Sequence, residues 1–381
     1  MPFDRLIDNI KAKNNPTVAG LDPKLSYLPA YLKENAYRNY GKTLEGAAAA
    51  ILEYNKGLID ALCDIVPAVK PQCAYYEMYG WQGMRTLAQT IQYAKEKGMY
   101  VIEDGKRNDI GTTMEAYAAA HLGETQVEEA ACSAFGADAL TVNGYLGSDG
   151  ITPVLKVCKA MDKGMFVLVK TSNPSSGELQ NQLISSEDTV YYTMGMMCEQ
   201  WGRELMGAYG YSGVGAVVGA TYPAQLQELR EALPHTFFLV PGYGAQGGGA
   251  RDVAPAFDQN GLGAIINSSR GILCAWQKEG CDERDYAGAA RRELTDKSIS
   301  PALAQIMEGR QLYQHQPGQP PLPVSDYTDR YVLSTAAPIL TQGDVLGCVL
   351  FVGTEGALTS SETDYKLAQT IAGFLGRHME S

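Results

Sequence analysis

Residues 99–110 read MYVIEDGKRNDI. The first six residues form a nearly continuous apolar run that ends in Asp104, and Lys106 and Asp109 follow it directly. An apolar run without strict alternation is typical of a parallel strand whose sheet is covered by helices. The segment therefore predicts a buried strand whose carboxyl end carries charged side chains.

Seven other segments share this apolar, β-rich character. They are 17–21, 66–70, 137–142, 165–170, 215–219, 237–240 and 263–267. Helix-like stretches separate them, including 44–63, 187–205 and 222–233, the last of which opens with Pro223 at an early helical position. Eight strand-then-helix units over about 290 residues are the composition of a (β/α)8 barrel, an α/β fold. A doubly wound open sheet is the alternative, although it usually has fewer strands and no GxGxxG follows the first run.

Composition excludes several classes of function. The 381 residues carry a net charge of −12, and no long Lys/Arg run provides the basic face of a nucleic-acid or membrane-surface protein. No apolar run reaches the roughly 18 residues that span a membrane. The four histidines form no HExxH pattern, so we expect no His-based zinc site. The eight cysteines form no CxxC pair, and no signal peptide opens the chain, which predicts free thiols in the cytoplasm.

Charged and polar residues follow the predicted strands, where the active sites of (β/α)8 barrels form. Asp22, Lys70, Asp104 and Ser172 lie at or just after four of these ends. Asp104 and Lys106 are two residues apart and should share a face, so a Lys70–Asp104–Lys106 row is expected. An ordinary salt-bridge network at the rim is the alternative interpretation.

A glycine-rich loop, PGYGAQGGG at 241–249, follows the seventh strand, and Arg270 follows the eighth. Its backbone N–H groups can approach an anion closely, and arginine can donate two hydrogen bonds to phosphate. The pair predicts a phosphate site, whereas the loop alone could equally be a flexible turn.

The character of the sequence changes after residue 293. The proline-rich segment 315–327 (HQPGQPPLPVSDY) is typical of a stiff loop or linker. A hairpin over 331–340 and 345–353 and a helix over 361–378 follow, the helix placing Leu367, Ile371, Phe374 and Leu375 on one face. We therefore expect a barrel domain over 1–293 and a small α+β appendage over 296–381.

The first 293 residues resemble the orotidine 5′-phosphate decarboxylase family, in its longer bacterial subgroup. The matching elements are GLD at 20–22, KPQ at 70–72 with Tyr76 and Glu77, DGKRNDI at 104–110 with Thr113, TSNP at 171–174, PGYGAQGG at 241–248 and NSSRG at 267–271. The resemblance implies a cofactor-free homodimer with no metal and with shared active sites, which converts orotidine 5′-monophosphate to uridine 5′-monophosphate.

The resemblance also implies a role for each matching position. Lys70, Asp104, Lys106 and Asp109 would form a catalytic tetrad, in which Asp109 reaches the partner subunit's site with Ile110 and Thr113. The substrate would be held by Asp22 at the ribose, by Ser172 at the pyrimidine edge, and by Gln246 and Arg270 at the phosphate.

The segment 296–381 resembles the end of the GAF-like sensor domain of stage V sporulation protein T. The resemblance rests on KSIS at 297–300, AAPI at 336–339, QGD at 342–344, LG at 346–347 and LAQTIAGFL at 367–375. The amino-terminal part of that domain and the DNA-binding module of the regulator have no counterpart. A partial GAF-like module is implied, with an accessory packing, dimerisation or sensory role.

Two other functions are compatible with the sequence. One is a sugar-phosphate decarboxylase or aldolase-like enzyme of the same superfamily, which would use a metal at related strand ends. The other is a nucleotide-binding sensor, in which the barrel binds the ligand and the tail transmits the signal. The intact tetrad and the TSNP and PGYGAQ elements favour the decarboxylase.

Overall fold

The computed structural model describes residues 2–185, 188–243, 250–295, 299–325, 328–341, 344–354, 358 and 361–378. Contacts between residues divide the chain into two compact units, Met1–Leu294 and Thr295–Ser381. Among the described residues, no helix has both the length and the apolar character needed to cross a membrane.

The first unit is built on a closed barrel of eight parallel strands, as the sequence predicted. In chain order the strands of this unit are β1 (Thr17–Leu21), β2 (Ala68–Pro71), β3 (Tyr100–Arg107), β4 (Thr125–Val127), β5 (Ala130–Cys132), β6 (Ala139–Val142), β7 (Gly164–Lys170), β8 (Val214–Val218), β9 (Phe238–Val240) and β10 (Ala264–Ser268). The order around the barrel is β1-β10-β9-β8-β7-β6-β3-β2, and β4 and β5 form a separate antiparallel hairpin.

Helices cover the outside of the barrel and bury the outward side chains of its strands. They are α1 (Pro2–Lys13), α2 (Ala30–Tyr40), α3 (Leu44–Leu62), α4 (Ala74–Glu77), α5 (Gly80–Glu96), α6 (Gly111–His121), α7 (Ser148–Met161), α8 (Gly177–Gln180), α9 (Val190–Gly202), α10 (Pro223–Ala232), α11 (Ala250–Val253), α12 (Arg270–Leu273), α13 (Ala275–Glu279) and α14 (Tyr286–Leu294). The longest, α3, is Ala-rich and begins where Thr43 Oγ1 accepts a hydrogen bond from Gly46 N at 3.2 Å. Its buried Tyr54 and Leu58 pack in the layer between helices and strands.

Aromatic side chains fill the interior of the barrel. Phe3, from α1, stacks on Phe166 with ring centroids 4.8 Å apart and lies 5.6 Å from the ring of Phe237. All three are almost fully buried, and each contributes about 1.5–3 kcal/mol by leaving water. Because this apolar cluster fills the interior, polar groups are left to the carboxyl ends of the strands.

The second unit is an antiparallel sheet with a helix on each face. It consists of α15 (Pro301–Glu308), β11 (Tyr313–Gln314), β12 (Pro323–Ser325), β13 (Thr328–Thr341), β14 (Asp344–Gly353) and α16 (Glu362–His378). The long β13 pairs with β11 and β12 along one edge and with β14 along the other. The predicted hairpin and final helix are present, and residues 315–322 of the proline-rich segment join β11 to β12 within this unit instead of linking two domains.

Helix α16 packs on the sheet through small residues. Ala368 and Ala372 are buried against Ala337, and a Cβ on Gly376 would lie 2.4 Å from the carbonyl oxygen of Leu340. Leu367 and Phe374, from the expected apolar face, are 46% and 51% exposed. The large residues do share a side of the helix, but the close approach to β13 leaves room only for small side chains beneath it.

Candidate active site

A cavity of about 680 Å3 opens at the carboxyl ends of the barrel strands. Six of the ten residues predicted for the site line it: Asp22, Lys70, Asp104, Lys106, Ser172 and Arg270. They come from strands that are far apart in sequence, and the barrel closure brings them together. These six residues therefore share one pocket, and the roles assigned to them stay predictions.

Three charged side chains form a continuous row on the floor of the cavity. Lys70 Nζ lies 2.7 Å from Asp104 Oδ2, and Lys106 Nζ lies 2.6 Å from Asp104 Oδ1. The side chains of Lys70 and Asp104 are only 5% and 9% exposed, whereas that of Lys106 is 46% exposed. The buried pair of Lys70 and Asp104 therefore holds the Lys106 ammonium, which is accessible from the cavity.

The row keeps its buried members ionised. Burial alone would raise the pKa of Asp104, but the positive charges of Lys70 and Lys106 outweigh it and hold that pKa well below the usual value. Burial would likewise lower the pKa of Lys70, yet the negative charges of Asp104 and Asp22 raise it. Both groups are consequently charged throughout the neutral pH range.

The backbone at Lys106 departs from a regular strand. The expected strand ends at Asp104, whereas β3 continues to Arg107 with an irregularity in its pairing to β6 between Glu103 and Arg107. Lys106 has a φ of 49°, a left-handed conformation that costs a residue with a side chain about 1–3 kcal/mol. This bulge turns the Lys106 ammonium back toward Asp104.

Thr141 is a site residue that sequence reasoning missed. Its hydroxyl donates to Asp104 Oδ1 at 2.8 Å and accepts a hydrogen bond from Lys106 N at 2.9 Å. One side chain from β6 thus fixes both the carboxylate and the strained backbone beside it. The available signal was a single hydroxyl residue one position before the end of the fourth apolar run.

Two buried oxygens in the cavity wall lack a donor among the described residues. They are Oδ1 of Asp22 and Oδ1 of Asn267. A buried acceptor without a partner costs about 1–3 kcal/mol, so a ligand that carries hydroxyl or N–H groups would gain by donating to them. Asn267, the penultimate residue of β10, belongs to the NSSRG element.

The loop after β7 is fixed by a buried lysine. Lys170 is fully buried, and its Nζ donates to Asn181 Oδ1 at 2.8 Å and to Ser176 Oγ at 3.2 Å. It also lies 4.3 Å from the ring centroid of Tyr222, and burial lowers its pKa. These contacts hold both ends of the segment that carries Ser172.

Ser172 itself lies against the end of β8. A Cβ on Gly219 would come within 2.8 Å of Ser172 Cα, so only glycine allows the two backbones this close. Gly219 N also donates to Lys170 O at 2.7 Å.

The remaining predicted residues are placed differently. Asp109, Ile110 and Thr113 do not line the cavity; Asp109 Oδ1 accepts a hydrogen bond from Ile110 N at 2.8 Å, and the Ile110 side chain is exposed. Gln246 lies outside the described residues, as does most of the glycine-rich loop, of which residues 241–243 line the cavity.

Comparison with known proteins identifies both parts of the chain. The sequence model of the orotidine 5′-phosphate decarboxylase / HUMPS family matches residues 49–280, and that of the stage V sporulation protein T C-terminal, transcription factor, matches 285–380. Both resemblances drawn from the motifs are thereby confirmed.

Individual relatives agree with the family match. An orotidine 5′-phosphate decarboxylase of Rhodopirellula baltica is 46% identical over 279 residues, covering 72% of this chain and 90% of the relative. One from Caldicellulosiruptor bescii is 42% identical over 301 residues, covering 79% of this chain and 98% of the relative.

Solved structures show the same barrel. Leishmania donovani OMP decarboxylase superposes with a TM-score of 0.59 at 30% identity and covers 77% of this chain and 97% of its own. A putative orotidine 5′-phosphate decarboxylase from Streptomyces avermitilis gives 0.60 at 31% identity, with 77% and 93% covered.

Proposed function

The chain belongs to the orotidine 5′-phosphate decarboxylase family, and from this membership we propose that its barrel converts orotidine 5′-monophosphate to uridine 5′-monophosphate without a cofactor. This reaction is the last step of de novo pyrimidine synthesis. The observation that carries the proposal is the Lys70–Asp104–Lys106 row on the cavity floor.

The reaction requires a positive charge close to the carbon that loses CO2. When the bond between C6 and the carboxylate breaks, CO2 leaves and the electron pair stays on C6, where the ring π-system cannot absorb it. The Lys106 ammonium stabilises this charge and then transfers one of its protons to C6. Because the lysine supplies both the positive charge and the proton, the step needs no other reactant.

Asp104 acts on the ground state. We place the substrate carboxylate beside Asp104, whose charge is secured by its two lysine partners. Repulsion between the two carboxylates is released as neutral CO2 forms, which favours the transition state over the bound substrate.

The rest of the cavity holds the nucleotide. Asp22, with its unpartnered Oδ1, accepts from the ribose hydroxyls, and Ser172 faces the pyrimidine edge. Arg270 and Gln246 bind the phosphate, and these remote contacts supply energy that orients the reacting ring.

The site is completed by a second subunit. Asp109, Ile110 and Thr113 lie outside their own cavity, at the start of α6 and just before it. A homodimer that exchanges this segment would give each site a fourth charged residue, Asp109, from the partner.

The C-terminal unit is an accessory module. We assign residues 1–293 to the decarboxylase domain and 296–381 to a partial GAF-like module that packs, dimerises or senses a ligand. The eight cysteines are free thiols, which suits a protein that works in the reducing cytoplasm.

A spectroscopic decarboxylation assay tests the proposal. The purified full-length chain should consume orotidine 5′-monophosphate with release of CO2, at the same rate with and without a chelator. Loss of turnover on chelation would favour the metal-dependent sugar-phosphate enzyme. Tight binding of uridine 5′-monophosphate without turnover would favour the nucleotide sensor.

A further inference from the structure

A buried chain of polar side chains lies behind β3, on the side away from the cavity. Glu103, which precedes Asp104, is fully buried, and its Oε1 lies 2.8 Å from His121 Nδ1. The same oxygen accepts a hydrogen bond from the Cys73 thiol at 3.3 Å. Because successive strand residues point to opposite faces, Glu103 is directed away from the substrate while Asp104 is directed toward it.

The second nitrogen of His121 connects this carboxylate to Arg107. Arg107 Nε donates to His121 Nε2 at 3.3 Å. The guanidinium can only donate hydrogen bonds, so Nε2 is the acceptor. Nδ1 therefore carries the ring proton and donates a hydrogen bond to Glu103. The ring is held in this orientation by stacking on Phe135, with centroids 5.2 Å apart.

Arg107 holds the backbone on either side of Lys106. Its Nη1 donates to the carbonyl oxygen of Gly105 at 3.1 Å, and its Nη2 forms an ion pair with Glu77. Lys106 lies between Gly105 and Arg107 in its left-handed conformation. A strained conformation persists only where the surroundings determine it several times over. The guanidinium does this from one side of β3, and Thr141 does it from the other.

The same histidine anchors the dimer-forming segment. His121 is the last residue of α6, whose first residue follows Asp109 and Ile110 directly. Its backbone carbonyl also accepts from Ala137 N at 2.9 Å, just before β6. One side chain therefore ties the end of α6 to the strand that carries Asp104 and Lys106.

We propose that Glu103 and His121 are positioning residues, which act through Arg107 to hold the Lys106 ammonium at the reacting carbon. Neither side chain lines the cavity. The inference rests on the proposed function, because it assigns to these residues the placement of the general acid in that reaction.

The variant His121→Phe tests the proposal while keeping the aromatic packing. It removes both ring nitrogens and leaves a ring to stack on Phe135. We expect kcat to fall by about tenfold or more, because small misplacements of a reacting group cost large factors in rate. KM and the affinity for uridine 5′-monophosphate should stay within about threefold, since the nucleotide contacts are elsewhere. A merely structural histidine would lower thermal stability and leave kcat per folded molecule unchanged, and that outcome overturns the proposal.

The matched control is His235→Phe. His235 is exposed, and its Nδ1 lies 2.9 Å from the carbonyl oxygen of Gly210, between α10 and β9 at the amino end of the barrel. Its replacement should leave kcat unchanged. An equal loss of kcat in both variants would show a general effect of the substitution and would overturn the specific role of His121.

A second variant, Arg107→Lys, keeps the inference testable if His121→Phe does not fold. Lysine preserves the charge opposite Glu77, but its single nitrogen cannot occupy the three positions from which Nε, Nη1 and Nη2 contact His121, Gly105 and Glu77. We expect kcat to fall with KM unchanged. Where His121→Phe does fold, the double variant His121→Phe/Arg107→Lys should lose no more than about threefold beyond the worse single variant. Losses that multiply, or an unchanged kcat in Arg107→Lys, would overturn the pathway through Arg107. The wild-type chain in the same assay separates the two proposals, since its inactivity would count against the decarboxylase function itself.

Discussion

Strand β3 of the barrel and helix α16 of the tail differ in what decides which of their side chains are buried. In β3, Val101 and Ile102 are fully buried along with the charged Glu103. In α16, Ala372 is buried while Phe374 is half exposed. The strand is enclosed on both faces, so its position in the fold buries whatever residue it carries. The helix lies so close to its sheet that size, and not hydrophobicity, decides which residues fit beneath it.

The comparison predicts that function resides in the strand ends of the barrel and most strongly at Lys106. In Lys106→Ala we expect kcat to fall by at least about 10³-fold, because the charge at C6 and the proton donor are both lost. Binding of uridine 5′-monophosphate should remain measurable by titration. Substantial turnover in this variant, with wild-type contamination excluded, would contradict the assignment of Lys106 as the proton donor.

Mixing two inactive variants tests whether the barrel completes its site with a second copy. Lys106→Ala and Asp109→Ala homodimers should each be nearly inactive. After subunit exchange, half of the dimers carry one intact site, so activity should recover to about a quarter of wild type. Variants that exchange subunits, as shown by differently tagged chains, without any recovery would place both residues in the same subunit's site.

The phosphate end of the cavity should give a smaller effect. Arg270→Ala removes a cation that lines the cavity but that, in our proposal, does not contact the bond that breaks. We expect kcat/KM to fall by about 10²-fold, chiefly through KM, because the bidentate contact to the phosphate is lost. Steady-state kinetics with Lys278→Ala, at an exposed lysine paired with Glu293, provide the control. An unchanged kcat/KM in Arg270→Ala would contradict the placement of the substrate phosphate beside Arg270.

Substitutions in the tail should change its stability and leave kcat unchanged. Adding an apolar group at Ala372 should destabilise the tail more than removing the apolar ring of Phe374. Ala372→Leu should destabilise the tail by about 1–3 kcal/mol, because the added volume has no room above β13. Phe374→Ser should change stability by less than about 0.5 kcal/mol, since the ring is exposed. Denaturant unfolding followed alongside kcat would check both. Greater loss in Phe374→Ser would mean that the exposed face is covered in solution.

The barrel was predictable because its strands are buried on both faces and most of them end in, or are followed directly by, a polar residue. Asp104 and Lys106 could be paired from their spacing alone. The bulge at Lys106 could not, because it depends on the hydroxyl of Thr141, which comes from another strand. The direction of Lys170 was equally hidden, since a pairing irregularity after Leu168 turns it out among Ser176 and Asn181.

Other physical reasons limit what one sequence can predict about the residues expected at a dimer interface and about the tail. The roles predicted for Asp109, Ile110 and Thr113 require a second chain, and the role predicted for Gln246 involves a loop outside the described residues. These roles stay predictions. In α16, periodicity correctly placed the helix and its apolar side, yet the close approach to β13 that leaves Leu367 and Phe374 exposed is a property of tertiary packing.

The contact between Gly219 and Ser172 limits how this enzyme could be adapted to other substrates. Ser172 lines the cavity where we place the pyrimidine edge, and its main chain rests directly on that of Gly219 with no side chain between them. Shortening side chains, the usual way to enlarge a binding pocket, could remove no more than the Ser172 hydroxyl there. Protein engineers who seek room for bulkier bases would have to rebuild the loop from Thr171 to Asn181, beginning with its anchor, Lys170.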